Sequence, residues 1–159
     1  MLEYFVFEGR IDPALPFIER SSCVLRSLVL TEYTLSSSSA LIYLLRALPN
    51  LESLILDKRG SGVRDIIPIF CSDSPNVCPN LIFLALPWSE SLDTHIFPSV
   101  LAMIRYRHPQ RLRTLRLLSV HHYSNIPSQQ RTLASEFPEL DVVMLGGNQR
   151  TMFLAECWI

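Results

Sequence analysis

The chain has 159 residues, of which 48% are hydrophobic, and its 14 basic and 15 acidic side chains give a formal net charge of -1. This length fits one domain with a sizeable core, and the balanced charge excludes a global field that would attract nucleic acid or an anionic membrane. Arg46, Pro49 and Glu52 interrupt the apolar runs, so no membrane span is predicted. The N-terminus lacks the features of a secretory signal. We therefore expect an intracellular protein, cytoplasmic or nuclear, whose four cysteines stay reduced.

One apolar pattern, L-x-x-L-x-L or a close variant, recurs six times, and each copy predicts a short buried strand. The first residues of successive copies are 23, 26, 30, 31 and 28 residues apart. Most of these intervals lie in or near the roughly 20 to 29 residues of a leucine-rich repeat. The predicted strands lie near residues 2–7, 25–30, 51–56, 81–86, 112–117 and 140–145.

Helical patterns fill the intervals between these strands. A short helix is predicted over residues 13–21. The next helix ends at Pro49 and carries an apolar stripe at i, i+3, i+4 and i+7, formed by Leu41, Leu44, Leu45 and Leu48. A third helix repeats this stripe, and we expect Pro68 to limit it, because a proline beyond the first turn removes a hydrogen bond. The stripe residues are Val63, Ile66, Ile67 and Phe70. A fourth helix over residues 97–106 accepts Pro98 near its start, and a fifth, opened by Pro127, turns Leu133 and Phe137 inward.

Alternating strands and helices at this period predict an α/β fold, specifically a leucine-rich-repeat solenoid over residues 1–147. Parallel strands would line the concave side of a short horseshoe, with the helices on the convex side. Residues 148–159 form an apolar tail that we expect to cap the last repeat. The asparagine usual after the last strand leucine is missing from most copies, which indicates an irregular, intracellular type of repeat.

Three segments carry a family resemblance: FIERSSCVLRSLVL (17–30), LIYLLRALPNLESLIL (41–56) and CPNLIFLAL (78–86). They resemble the C-terminal leucine-rich regions of fungal F-box proteins, especially those of mushroom-forming fungi. The resemblance implies repeats that hold a protein for ubiquitination, while an F-box docks onto the adaptor of a cullin-RING ubiquitin ligase. Leu15-Pro16 is the only match to the Leu-Pro dipeptide with which an F-box begins. Binding of the ligase adaptor is therefore expected only if an F-box lies upstream.

Alternation along each strand places every second side chain on the concave surface, where we expect a protein partner to bind. A row at mid-strand is mostly apolar, and contiguous apolar surface usually marks a protein interface. The alternative is that loops or the tail cover this row. The candidate partner-binding residues are Val29, Thr31, Ile55, Asp57, Phe83, Ala85, Trp88, Thr114, Arg116 and Met144.

Other clusters point to chemistry only weakly. Five arginines between Arg105 and Arg116 could bind an acidic peptide or a phosphate, but pairing with Glu136, Glu139 or Asp141 on a solvated face is the more ordinary interpretation. His121-His122 has no nearby Cys or carboxylate in the sequence, so no metal site is predicted.

No catalytic motif such as G-x-S-x-G or H-E-x-x-H occurs, and neither an enzyme nor a cofactor is expected. The sequence favours a non-catalytic protein-recognition module. The alternative is a stand-alone repeat scaffold or regulatory protein that is unconnected with ubiquitin transfer.

Overall fold

The computed structural model describes residues 3–10, 16, 18, 24–34, 38–57, 63–71, 77–88, 93–108, 111–119 and 128–157. Six strands form one sheet in which every neighbouring pair is parallel, and their spatial order is their order along the chain. The predicted α/β class and the parallel sheet are therefore confirmed. Within the described segments, no helix is long and apolar enough to cross a membrane.

The strands begin one or two residues later than the leucine pattern suggests. They span Tyr4–Arg10 (β1), Ser27–Thr34 (β2), Ser53–Asp57 (β3), Phe83–Trp88 (β4), Thr114–Ser119 (β5) and Asp141–Gly146 (β6). The leucine that opens five of the copies precedes its strand and is buried, at positions Leu25, Leu51, Leu81, Leu112 and Leu140. These leucines therefore contribute to the core while the chain turns into each strand.

A repeated hydrogen-bond arrangement aligns the beginnings of the strands. The carbonyl of Glu3 accepts the backbone N–H groups of Arg26 and Ser27, both at 2.9 Å. The carbonyl of Arg26 in turn accepts from Glu52 at 2.8 Å and Ser53 at 2.9 Å, and the same pairing recurs into β4 and β5. Among the described residues, β6 keeps a single bond of this kind, from Asp141 to Arg113 at 2.9 Å. The last repeat therefore joins the sheet differently from the others.

The helices span Ser38–Arg46 (α1), Val63–Cys71 (α2), Asp93–Arg107 (α3), Ser128–Glu136 (α4) and Gly147–Glu156 (α5). The apolar stripe of α1 is confirmed, because Leu41, Leu44 and Leu45 are buried, and Leu48, two residues beyond the end of the helix, is buried as well. Of the helix predicted over residues 13–21, the structure describes Pro16 and Ile18, which are helical; the rest lies outside the described residues.

Two prolines do not limit their helices as expected. Helix α2 continues beyond Pro68 to Cys71, and α3 begins at Asp93, so that Pro98 lies well inside it. A proline inside a helix leaves the carbonyl four residues earlier without its usual partner. Both proline side chains are exposed. The expectations that Pro68 limits α2 and that Pro98 lies near the start of α3 were therefore wrong.

The main core lies between one face of the sheet, the core face, and helices α1 to α4. In-register partners cross the sheet in a row, because Leu28 pairs with Leu54, Leu54 with Leu84, and Leu84 with Leu115. Each of these leucines is at most 1% exposed. Stacking equivalent leucines on neighbouring strands gives a continuous apolar layer, which is the basis of stability in repeat folds.

Candidate functional site

The opposite face of the sheet carries a second apolar row at mid-strand. Its members pair in register from strand to strand: Val6, Val29, Ile55, Ala85, Arg116 and Val143. This row is not open to solvent, since Val29, Ile55 and Ala85 are all buried. Of the two possibilities left by the sequence, the covered row is the one observed.

Helix α5 covers this row, and we call the surface beneath it the α5 face. Phe153, Leu154 and Cys157 pack against a buried cluster made of Val29, Ile55, Ala85 and Leu118. The tail was expected to close the end of the core, yet these side chains join the α5 face instead. A helix of ten residues is about 15 Å long, against about 24 Å for six strands, so α5 can reach across much of the sheet.

An ion pair fixes the first half of α5 to the end of β3. Arg150 Nη2 donates to Asp57 Oδ1 at 2.6 Å and to Oδ2 at 2.7 Å. The side chains are only 12% and 6% exposed, respectively. Removing one partner of such a buried pair leaves an uncompensated charge, which is costly as long as the site stays dry. The pair therefore couples two segments that lie 93 residues apart in the sequence.

An aromatic contact fixes the second half of α5 to the beginning of β4. The rings of Phe83 and Phe153 stack with centroids 6.1 Å apart and planes at 22°. The Arg116 guanidinium lies 5.9 Å from the centre of the Phe83 ring. Arg116 is itself held by Asp141, because Nη2 donates to Oδ2 at 2.6 Å. Phe83 thus contacts both the Phe153 ring of α5 and the positioned guanidinium of Arg116.

The C-terminal end of α5 lies near β1. The pKa of Tyr4 is raised, mainly by burial and further by the nearby Cys157 thiolate charge. The pKa of Cys157 is also raised, mainly by burial and further by Glu156. Val6 on β1 packs against the same cluster as Cys157. Helix α5 therefore contacts the α5 face from its last strands back toward its first.

Two polar atoms at this interface are left unpaired. Thr31 Oγ1 and Arg150 Nε are buried, and no hydrogen-bond partner for either lies among the residues that the structure describes. Thr31 is the in-register neighbour of Asp57, so both atoms belong to the same end of the interface. A buried polar group without a partner costs roughly 1 to 3 kcal/mol. Helix α5 therefore covers the face without satisfying all of its polar groups.

Most predicted partner-binding residues do share the α5 face. Val29, Ile55 and Ala85 belong to its buried cluster, and Phe83 packs against that cluster. Thr114 pairs with Phe83, and Arg116 with Ala85, which places both on the same face. Thr31 and Asp57 are buried there. Their role in binding stays a prediction, whereas their placement together is observed.

Two predicted site residues lie on the wrong side of the sheet. Trp88 belongs to the core cluster, because it is five residues after Phe83 and strand side chains alternate. Met144 also belongs to the core, since it pairs with Leu117. In β6 the core residues are Val142 and Met144, one residue out of phase with the leucine pattern. The placement of Trp88 and Met144 on the partner-binding surface was wrong.

The arginine cluster divides into three kinds of residue. Arg105 pairs with Glu136 at 2.6 Å, and Arg116 pairs with Asp141, as the ordinary interpretation predicted. Arg111 and Arg113 are exposed. Arg107 is buried, and it donates to the carbonyls of Phe70 and Cys78, both at 3.2 Å. Burial lowers the pKa of Arg107, while the neighbouring Cys78 raises it.

Arg150, which pairs with the candidate residue Asp57, is the contact that sequence reasoning missed. The signal available was its spacing from Phe153, Leu154 and Cys157 at i, i+3, i+4 and i+7, which predicts one face of a helix. His121 and His122 lie outside the described residues, as do Leu2, Trp158 and Ile159. Within the described part of the chain, no three His, Cys, Asp or Glu side chains group as metal ligands would.

The fold and the face together define an all-parallel α/β protein with a helix laid on the sheet surface opposite its main core. No protein-family model, curated protein or solved structure matches the chain.

Proposed function

We propose that this chain is a non-catalytic, intracellular protein-recognition module, a short leucine-rich-repeat horseshoe whose α5 face is the concave binding surface. The observation that supports the proposal best is the in-register row from Val6 to Val143, which crosses six consecutive strands. A curved sheet of this kind presents one side chain per repeat to a partner, and extended surfaces of that type bind other macromolecules. The resemblance of segments 17–30, 41–56 and 78–86 to the substrate-binding regions of F-box proteins also supports the proposal.

Phe83, Arg116 and Asp57 are the proposed anchors for the partner. Aromatic and arginine side chains carry a large share of binding energy in protein interfaces. Phe83 and Arg116 are already in contact, with the guanidinium 5.9 Å from the ring centre, and Asp57 supplies a negative charge on the same face. This combination suits a partner surface with an aromatic or aliphatic side chain next to a basic one.

Site-specific photocrosslinking in cells of the source species tests the proposal. A benzophenone amino acid replaces Thr114 on the α5 face, and a matched variant carries it at Thr132 on α4, where the side chain is exposed. We expect the Thr114 position to crosslink one discrete protein that the Thr132 position does not. Identical crosslinking patterns at the two positions would refute recognition by this face.

Co-purification addresses the ubiquitin-ligase part of the proposal separately. A gene product that includes any upstream F-box should co-purify with the adaptor of a cullin-RING ligase. A partner that crosslinks at Thr114 when no adaptor is bound would favour the stand-alone scaffold instead. Neither co-purification result changes the conclusion about which face binds the partner, because the Thr114 crosslink tests that face independently of the ligase adaptor.

A further inference from the structure

Helix α5 has little intrinsic reason to stay helical. It has ten residues, and isolated helices of this length are marginal in water. Its N-cap is Gly146, which offers no side chain to bond the first N–H groups, and all of its residues are half-buried or exposed. Gly147 follows with φ of +49°, a left-handed conformation that glycine adopts readily. The contacts with the α5 face therefore hold the helix in place.

The contacts of α5 follow a single stripe. Arg150, Phe153, Leu154 and Cys157 stand at i, i+3, i+4 and i+7, and each of them contacts or pairs with the α5 face. Met152 points away and is 65% exposed. Amphipathic helices that dock into protein grooves present the same spacing of anchors. Helix α5 thus displays the recognition pattern of a docked peptide helix.

Near Asp57, the hydrogen bonding between α5 and the α5 face is incomplete. Asp57 is satisfied by Arg150, but Thr31 Oγ1 beside it and Arg150 Nε remain buried without a partner in the described part of the chain. A competing helix that supplied a hydroxyl or amide group at this point would satisfy the α5 face better than α5 does. Asp57 also selects for charge, because a buried carboxylate requires a basic group on whatever covers it.

We propose that α5 occupies the binding site of an amphipathic helix from a partner protein. That helix carries a basic residue that pairs with Asp57 and apolar residues three, four and seven positions later. The first apolar position takes an aromatic ring that stacks on Phe83. A polar side chain of the partner reaches Thr31. This inference rests on the proposed function and deepens it, because it names the chemical class of the partner.

A binding assay with a fluorescein-labelled synthetic peptide of residues 146–157 tests the inference. The receptor is the full chain with R150E and F153A, two changes that remove both anchors of its own α5. The matched control is the full chain with M152A, which changes the exposed side of the same helix. We expect the peptide to bind the first receptor at least about tenfold more tightly, because the control's own α5 competes.

Peptide variants then test the selectivity of the face. A peptide with R150E should bind the anchor-free receptor at least about tenfold more weakly, since it leaves Asp57 without a cation. A peptide with M152A should bind within about twofold of the unchanged peptide, because that side chain faces solvent. Equal losses for both peptides, or no binding of the unchanged peptide to a folded receptor, would overturn the inference.

Hydrogen exchange on the unaltered chain covers the case in which the anchor-free receptor does not fold, as judged by circular dichroism. Amides of α5 should exchange at least about tenfold faster than those of β3, because local opening needs less free energy than global unfolding. Excess unlabelled peptide should accelerate exchange in α5 further. Exchange of α5 only together with β3, unaffected by peptide, would contradict displacement. The Thr114 crosslink reports on recognition whatever the peptide result, so the two failures are distinguishable.

Discussion

The ion pair between Asp57 and Arg150 offers the sharpest energetic prediction. The changes are Asp57→Ala, Arg150→Ala and the two combined, each in the full chain. Both side chains are nearly inaccessible, and a single guanidinium nitrogen donates to both carboxylate oxygens. The two residues come from β3 and α5, so any energetic coupling between them measures the attachment of the helix to the sheet.

The magnitude follows from the geometry. Hydrogen bonds to charged groups contribute about 1.5 to 3 kcal/mol, so we expect a coupling free energy of that size. Each single change should destabilise the chain by about 2 to 3 kcal/mol. The cost stays below the roughly 3 to 5 kcal/mol of a fully trapped charge, because α5 can leave the surface and let water reach the remaining group.

Urea denaturation of the four chains gives the free energies of unfolding and hence the coupling. The matched control is the same cycle on Arg26 and Glu52, an ion pair at 3.3 Å whose side chains are 56% and 41% exposed. That pair should couple by less than about 1 kcal/mol. If the changes at Asp57 and Arg150 add to within about 0.5 kcal/mol, the claim that this pair attaches α5 is refuted.

Three further predictions concern the core. Leu54→Ala, at a fully buried site, should lower the free energy of unfolding by about 2 to 5 kcal/mol, whereas Met152→Ala, 65% exposed, should change it by less than about 0.5 kcal/mol in the same denaturation assay. Arg107→Met leaves the carbonyls of Phe70 and Cys78 without their donor and should cost about 2 to 4 kcal/mol, against less than about 1 kcal/mol for Arg105→Ala. Burial raises the pKa of Cys78 to about 12 from 9.0, so the folded state keeps a proton that the unfolded state loses, and stability should fall as pH rises from 9 toward 12. Cys78→Ser should flatten that decline in denaturation curves recorded across this pH range; an unchanged slope would contradict the assignment to Cys78.

The sequence predicted the strands well because leucine spacing and burial coincide there. In β2 to β5 two leucines separated by one other residue mark the core face, so that face could be read directly from the sequence. The run from Val142 to Leu145 is apolar at every position. It is buried or half-buried on both faces, one against the core and the other against α5. Alternation cannot fix the register of such a strand, and the prediction slipped by one residue.

That the tail covers the mid-strand row was one of two alternatives, and local pattern could not decide between them. The apolar residues of the tail suggested a cap, and nothing near them in the sequence indicated Asp57 as the partner of Arg150, which is 93 residues away. Trp88 is a different case. Trp88 is five residues after Phe83, an odd number, so the two side chains lie on opposite faces of the strand. Strict alternation would therefore have assigned Trp88 to the core.

The central claim is that α5 lies across the sheet face where a partner would bind. Nuclear Overhauser contacts between the Phe83 and Phe153 rings in the isotopically labelled full chain test it most directly. The account predicts strong ring-to-ring contacts, consistent with centroids 6.1 Å apart, and their loss in the Arg150→Ala, Asp57→Ala chain. Rings that show no mutual contact, together with Phe153 in contact with the leucines of the core, would contradict it.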